Sequence, residues 1–273
     1  MRQFPLLTLG TAVTATIVIM GILAPWITPY PQDAGFATDP GATLLPPSGQ
    51  HWFGTDQVGR DVYTRVVYGV RLSIGTTVFV LVVAAVVGLA VGLVAGFSGG
   101  RLDAFLMRVT DVFLAFPALL LAVALAAVLS PSGWHAAIAI AVTWWPWYAR
   151  LARGQAAAIR GQGYSDAARV LGASRTRQIV RHVLPNASTP VFVQMSLDAA
   201  GIILTASTLS YLGLGAQDPT PEWGLMVSQG QSLATTAWWV VTFPGLAILT
   251  AAVAFNFIGD GLQTALDPKR GQR

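Results

Sequence analysis

Residues 72–100, LSIGTTVFVLVVAAVVGLAVGLVAGFSGG, form an apolar run without a single Asp, Glu, Lys or Arg. A helix needs about 20 apolar residues to cross a bilayer. In lipid, a spanning segment must also satisfy its own backbone hydrogen bonds, which favours helices over isolated strands. The run therefore predicts a transmembrane helix, and three further uncharged stretches, at 3–32, 112–149 and 223–259, extend that prediction to the whole chain.

The composition agrees with residence in a membrane. Hydrophobic residues make up 54% of the chain and charged residues only 10%, whereas a soluble domain is about one-quarter charged. The absence of cysteine excludes disulfides, cysteine-ligated metals and cysteine nucleophiles. Lys269 is the only lysine, so the body of the chain has no phosphate-loop lysine. Any ATP-driven work must therefore be done by a partner.

The uncharged stretches, together with an apolar segment at 188–212 that carries only Asp198 as a charge, predict an all-α protein with six transmembrane helices. The N-terminal run is longer than the apolar core of a signal peptide, which favours a retained first span. The turn-forming residues 130–133 split the long third stretch into two spans. The predicted helices are Leu6–Ile27, Leu72–Phe97, Ala104–Leu129, Trp134–Leu151, Ser188–Leu212 and Trp238–Leu262.

The distribution of positive charge predicts the orientation. Six spans place both termini on one side, and that set of segments carries thirteen Arg and Lys residues against three in the opposite set. Because positive residues favour the cytoplasmic side, we expect cytoplasmic termini. On the external side, Val62, Val66 and Val70 share one helical face, which predicts a short amphipathic helix on the membrane surface. Its polar face would hold Arg60, Asp61, Thr64, Arg65 and Arg71.

A dense arginine loop, residues 164–186, is predicted on the cytoplasmic side. It reads YSDAARVLGASRTRQIVRHVLPN. Gly172 favours a tight turn after a first helix, Ser174 can cap a second helix, and Pro185 is expected to stop it. The apolar face of the second helix would hold Ile179, Val180, Val183 and Leu184.

Small side chains beside the turn would leave a slim helical knob able to enter a cleft on another protein. The alternative is a basic helix held by anionic lipid, but lipid attraction requires charge alone and does not require this pattern. The residues predicted to dock on a partner are Tyr164, Asp166, Ala167, Ala168, Gly172, Ala173, Ser174, Arg177, Leu184 and Pro185.

Polar and aromatic residues inside the spans are candidates for a transport pathway. Asp198 lies within the fifth span, where an isolated carboxylate should face a partner or a wet pathway; a structural Asp hydrogen-bonded between helices is the alternative. Trp144, Trp145 and Trp147 lie short of the end of the fourth span, where they could line a pathway or pack between helices. Gly88, Gly92 and Gly96 recur at four-residue spacing, which predicts close helix packing. The three scattered histidines predict no metal site.

Four stretches of the sequence resemble one family. Residues 164–186 are similar to the cytoplasmic EAA loop of bacterial ABC importer permeases, with Asp166 where the family usually has Glu. The other stretches look like the C-type permease subunit of dipeptide, oligopeptide and nickel importers. They are HWFGTDQVGRD at 51–61, LSYLGLGAQDPTPEWG at 209–224, and FPGLAI, FNFIGDGL and ALDP within 243–268.

The resemblance implies a type I ABC importer permease fold in the bacterial inner membrane. It further implies a homologous permease partner, two ATPase subunits that bind ATP and magnesium, and an extracytoplasmic binding protein. This chain would hold no cofactor, catalytic residue or metal, would be surrounded by lipid and would have no nucleic-acid partner. It would form half of the translocation pathway and use the loop to dock on the ATPases.

The function that follows is the permease of an ATP-driven importer of di- or oligopeptides or related small solutes. A nickel-chelate importer of the same architecture is the alternative, while a membrane enzyme or an ion channel lacks a grouped catalytic set or a filter-like loop. The expected layout is an N-terminal helix with an external and amphipathic segment at 1–71 and a permease core at 72–268. The core includes the coupling loop 153–187, and a short tail follows at 269–273.

Overall fold

The computed structural model describes residues 5–162 and 174–266. Helices make up most of these ranges, which contain an isolated bridge between Thr55 and Asp61 and no named strand, as the all-α prediction requires. A π turn, Ile179–Val183, precedes the seventh of the helices described. Those helices are α1 Pro5–Ile27, α2 Val62–Ser98, α3 Gly100–Leu114, α4 Ala118–Val128, α5 Gly133–Arg160, α6 Arg175–Gln178, α7 Leu184–Tyr211, α8 Trp223–Gly230 and α9 Trp239–Leu266.

By length and composition, the described ranges contain fewer membrane-spanning helices than the six predicted from the sequence. Within the described ranges, four helices (α1, α2, α7 and α9) are long and apolar enough to cross a membrane. The bent pair α3 and α4 would make a fifth span. Helix α5 is long enough but is not in that set, since tryptophans, a proline and three arginines interrupt its apolar residues.

The third predicted span, Ala104–Leu129, is wrong as a single helix. Helices α3 and α4 meet at 85° across the break at residues 115–117. Pro117 caps α4 without a backbone N–H to donate, and a proline disfavours helical geometry at the preceding residue, Phe116. The chain therefore turns sharply inside the apolar stretch.

The predicted surface helix is the first part of α2. Helix α2 has 37 residues, a length of about 55 Å at 1.5 Å per residue, so it extends well beyond a hydrocarbon core of about 30 Å. The expectation that its polar face is exposed is wrong for Arg60, Asp61, Thr64 and Arg65, all buried under neighbouring loops. The division expected at residues 71 and 72 falls inside this continuous helix.

Close packing between α2 and α5 forms the centre of the bundle. A Cβ atom added at Gly92 would lie 2.3 Å from the carbonyl oxygen of Ala149, and one at Gly96 would lie 2.4 Å from that of Arg153. Gly88 meets Tyr148 and Trp145 in the same way. The glycine spacing therefore has the packing role predicted for it.

The remaining long helices pack around this pair. Helix α1 lies against α9, where Gly10 approaches the backbone of Ala254 and Gly261 approaches Leu7. Gly259 of α9 brings Leu197 of α7 equally close. A buried core cluster joins α2, α5 and α7 through residues such as Val80, Ile140 and Ile202. One face of the α5–α7 pair is left open, and the cavity described below lies there.

Candidate functional site

An ion cluster joins the segment before α2 to the loop that follows α7. The Arg60 guanidinium lies 2.8 Å from Asp56 and 2.9 Å from Asp218. Burial lowers the pKa of Arg60, but hydrogen bonds to Asp218 and Asp56 outweigh burial and raise that pKa above its usual value. For Asp218, burial is likewise outweighed by Arg60 and Gln229, so the pKa of Asp218 is lowered. The two segments therefore lie on the same side of the bundle, at the end of α7 opposite Leu184.

Two further carboxylates hold the start of α2 in place. Asp61 caps the helix by accepting from the backbone N–H of Thr64 at 2.8 Å, and it also contacts the imidazole of His51 at 3.0 Å. Asp33 accepts from the backbone N–H of Asp61 at 2.8 Å, and burial raises the pKa of Asp33. The buried face of α2 is thus held by hydrogen bonds instead of being solvated.

A cavity of about 730 Å³ opens between α5 and α7, beside the start of α4. Its lining includes Trp144 and Trp147 from α5 and Asp198 from α7, which the sequence identified as possible pathway or interface residues. Trp145 faces elsewhere and packs edge-on against Phe113, with 5.4 Å between ring centroids. The structure brings three of the four predicted residues together, and their role in transport stays a prediction.

The sequence reasoning missed two polar residues of this cavity, Gln194 and Arg150. The Gln194 amide donates to the Asp198 carboxylate at 2.9 Å, an i, i+4 pair that the sequence spacing could have suggested. Arg150 lines the rim and is paired with Asp111 of α3 at 2.7 Å. That pairing depends on how α3 packs on α5, so no signal in the local sequence could have found it.

The predicted docking residues are only partly within the described ranges. Tyr164, Asp166, Ala167, Ala168, Gly172 and Ala173 lie outside them. Ser174 caps α6 as predicted, its hydroxyl accepting from the backbone N–H of Arg177 at 3.3 Å, and Arg177 is exposed. Val183 is fully buried, and Leu184 and Ile179 pack with it against α2 and α5, while Val180 is exposed.

The prediction that Pro185 stops the helix is wrong. The chain passes through the π turn directly into α7, with Pro185 in the first turn of that helix. A proline is tolerated at that position because an amide donor is not required there. The backbone N–H of Leu184 bonds to the carbonyl of Ile179, the wider spacing of a π turn. The described end of the arginine loop, from Ser174 onward, is therefore continuous with α7, the helix that carries Asp198.

This bundle of helices, with a polar cavity beside α7, has the features of a known family of membrane proteins. Residues 88–272, more than half of the chain, match the model of the family described as "Binding-protein-dependent transport system inner membrane component". The chain belongs to this family. It is a membrane-spanning permease subunit of an ABC importer, with ATPase and membrane subunits as partners.

Curated relatives match this permease over nearly its full length. The "Probable D,D-dipeptide transport system permease protein DdpC" of Escherichia coli K12 is 45% identical over 99% of this chain and 90% of its own length. The "Dipeptide transport system permease protein DppC" of the same strain is 44% identical, over 96% and 89% respectively. The DppC protein of Alkalihalophilus pseudofirmus is 41% identical, over 98% and 88%.

Solved structures support the same fold. A chain of the MetNI methionine ABC transporter, in an inward-facing conformation, aligns with a TM-score of 0.59 and 18% identity. The alignment covers 74% of this permease and 95% of that chain. A second crystal form of the same transporter aligns with a TM-score of 0.60 and 19% identity. The type I ABC importer permease fold expected from the sequence is confirmed, and the chain is a multi-pass inner-membrane protein.

Proposed function

We propose that this permease is the C-type subunit of an importer that carries dipeptides, or oligopeptides and related solutes, across the bacterial inner membrane. One observation carries the proposal: identity of 44–45% over almost the whole chain to permeases named for dipeptide transport. Such identity extends through the membrane helices and both loop regions. A shared substrate class is the simplest reason for similarity of that extent.

The remaining parts of the proposed importer are other chains. A homologous permease would complete the pathway, two ATPases would bind ATP and magnesium, and an extracytoplasmic binding protein would deliver the peptide. The thirteen-to-three bias of positive residues supports cytoplasmic termini and a cytoplasmic arginine loop. The ion cluster of Arg60, Asp56 and Asp218 (the Arg60 cluster) then faces the side from which the binding protein approaches.

The continuity of the loop with α7 supports a mechanical role for docking. The exposed Ser174–Arg177 cap lies at the base of the bundle, and the chain runs from it through the π turn into α7. Asp198 lies fourteen residues beyond Leu184, or about 21 Å along the helix. Closure of the ATPase pair would shift the loop, and α7 would carry that shift to the cavity as a rigid element.

The test is uptake by the complete importer, reconstituted in liposomes with its binding protein and ATPases. We expect ATP-dependent accumulation of radiolabelled L-alanyl-L-alanine or D-alanyl-D-alanine. Accumulation of a nickel chelate with neither dipeptide would overturn the peptide assignment in favour of the alternative.

The docking role is tested separately with Gly172→Val. Its matched control is Gly154→Val in α5, where an added Cβ meets no atom within 4 Å. We expect Gly172→Val to abolish uptake and recovery of the ATPases with the purified permease, and Gly154→Val to retain both. Normal uptake by Gly172→Val contradicts the docking proposal.

A further inference from the structure

Asp198 is a carboxylate without a positively charged partner among the described residues. No ion pair joins it to any of them. The donors beside it are neutral: the Gln194 amide donates at 2.9 Å, and the Tyr148 hydroxyl and the Trp144 indole N–H also lie close to it. Arg150, the cation on the same cavity wall, is already paired with Asp111 at 2.7 Å. The cavity therefore presents a negative group that no cation within residues 5–162 and 174–266 compensates.

The surroundings of Asp198 argue against contact with lipid. An ionised carboxylate facing hydrocarbon is expensive, so such groups in membrane helices face protein or a water-filled path. The cavity holds about 730 Å³ and is open on one side, a volume within the usual 300–1,000 Å³ range of small-molecule sites. In the assembled importer, the open side is therefore expected to face a partner subunit or a water-filled path.

Two features of the cavity suit a cation rather than an anion or an apolar group. Trp144 and Trp147 line the cavity beside the carboxylate, and aromatic rings can attract ammonium groups. The fully buried hydroxyl of Tyr148 faces Asp198 but makes no hydrogen bond of ordinary length within the described residues. A carboxylate beside aromatic faces is the combination that recognises an organic ammonium.

We propose that Asp198, with Trp144 and Trp147, binds the terminal ammonium of a peptide during its passage through the membrane. The inference rests on the proposed function, since the ammonium belongs to the peptide substrate. Gln194 orients the carboxylate, and the ammonium completes a charge pair on the open side of the cavity. The permease thus recognises the terminal ammonium, the cationic group that every unmodified dipeptide carries.

The experiment measures binding to the purified importer without its binding protein, so that the selectivity of that protein does not contribute. Saturation-transfer NMR on nanodiscs compares L-alanyl-L-alanine with N-acetyl-L-alanyl-L-alanine, which lacks the ammonium. We expect binding of the free dipeptide to be at least about tenfold stronger, since a charge-assisted contact is worth about 1.5–3 kcal/mol and 1.4 kcal/mol is tenfold.

Variants test whether Asp198 causes the preference for the free dipeptide over the acetylated one. Asp198→Asn should lose the preference for the free dipeptide, and Asp198→Glu, which keeps the charge, should retain most of it. The matched control is Asp260→Asn, because Asp260 is an exposed carboxylate of α9 outside the cavity lining. It should bind as the wild type does.

Equal binding of the two peptides by the wild type, or equal losses in Asp198→Asn and Asp260→Asn, overturns the inference. The comparison of peptides on the wild type decides the matter even if Asp198→Asn fails to assemble. Dipeptide uptake by the full importer in the absence of an ammonium preference defeats this inference alone. Failure of uptake defeats the proposed function.

Discussion

The guanidinium of Arg71 donates to the carbonyl oxygen of Gly21 at 2.8 Å, which joins α2 to α1. That carbonyl lacks its usual helical donor because the residue four positions later, Pro25, has no N–H. A second donation reaches the carbonyl of Ile22 at 3.2 Å. An arginine thus satisfies a backbone group that a proline leaves without its helical donor.

This pairing predicts that the effects of the two residues are coupled. Arg71→Ala should destabilise the packing of α1 by about 1 kcal/mol, since it leaves a partly buried carbonyl without its donor. In a Pro25→Ala background, the new N–H of residue 25 can bond to Gly21, so removal of Arg71 should cost measurably less. Thermal unfolding of the four combinations in detergent measures the coupling. Additive effects would contradict the explanation.

The glycine contact between α2 and α5 gives a second prediction. Gly92→Ala places a methyl group 2.3 Å from a backbone oxygen that cannot move alone, and overpacking of this kind costs about 1–3 kcal/mol. The matched control is Gly75→Ala in the same helix, where an added Cβ meets nothing within 4 Å. We expect a lower unfolding temperature for the first variant and an unchanged or raised one for the second. A similar shift in both variants would show that the contact is looser than described.

The helix cap at Ser174 gives a prediction about the coupling of ATP hydrolysis to peptide transport. Ser174→Ala removes the acceptor for the N–H of Arg177, and loss of an N-cap costs about 1 kcal/mol. The helix that begins the described part of the docking segment should fray, and more ATP should be hydrolysed for each peptide imported. Ser174→Asp, which keeps an acceptor, serves as the control. The ratio of ATP hydrolysed to peptide accumulated in proteoliposomes is the readout, and an unchanged ratio in Ser174→Ala argues against a role for the cap.

The Arg60 cluster predicts a dependence on pH. The pKa of Asp218 is lowered in the folded state from its ordinary 3.8 by Arg60 and Gln229, which outweigh burial. The contribution of Asp218 to stability is therefore fully present above the ordinary value and is lost as the pH falls through the lowered one. Amide hydrogen exchange in residues 212–222, expressed relative to the intrinsic exchange rate at each pH, should rise at pH values below about 4. Asp218→Asn should exchange faster already at neutral pH and lose this dependence; a dependence that persists in the variant would assign it to another group.

Local sequence patterns predicted much of the helical content. Apolar runs without charge gave α1, the membrane part of α2 and α9 to within a few residues, and an apolar run interrupted only by Asp198 gave α7, because span length follows from bilayer thickness. Ser174 was predicted as a cap because capping requires only a hydroxyl acceptor three residues before the donor. The break at Pro117 was readable from the same local chemistry, since a proline interrupts the helix that precedes it.

Other features depended on residues far apart in the chain. Arg60 and Arg65 looked like the solvated face of a surface helix, yet Asp218 and the carbonyl of Pro219 cover them from more than 150 positions away. The cavity likewise needs α5 and α7 side by side before Trp144 and Asp198 can line one space. The local sequence around each residue does not predict which distant residue will contact it.

The sequence by itself determined that this chain is a helical membrane protein, where most of its helices lie and which residues in them are costly to bury. Those properties follow from the interaction of each segment with lipid and water, and a segment carries them wherever it packs. Tertiary structure alone decided which charges neutralise one another and which is left unpaired. Arg60, Arg71 and Arg150 each bind an acceptor on another segment, whereas Asp198 has no cationic partner in the part of the chain that the structure describes. Electrostatic energy depends on distances in space, and only the folded chain sets those distances.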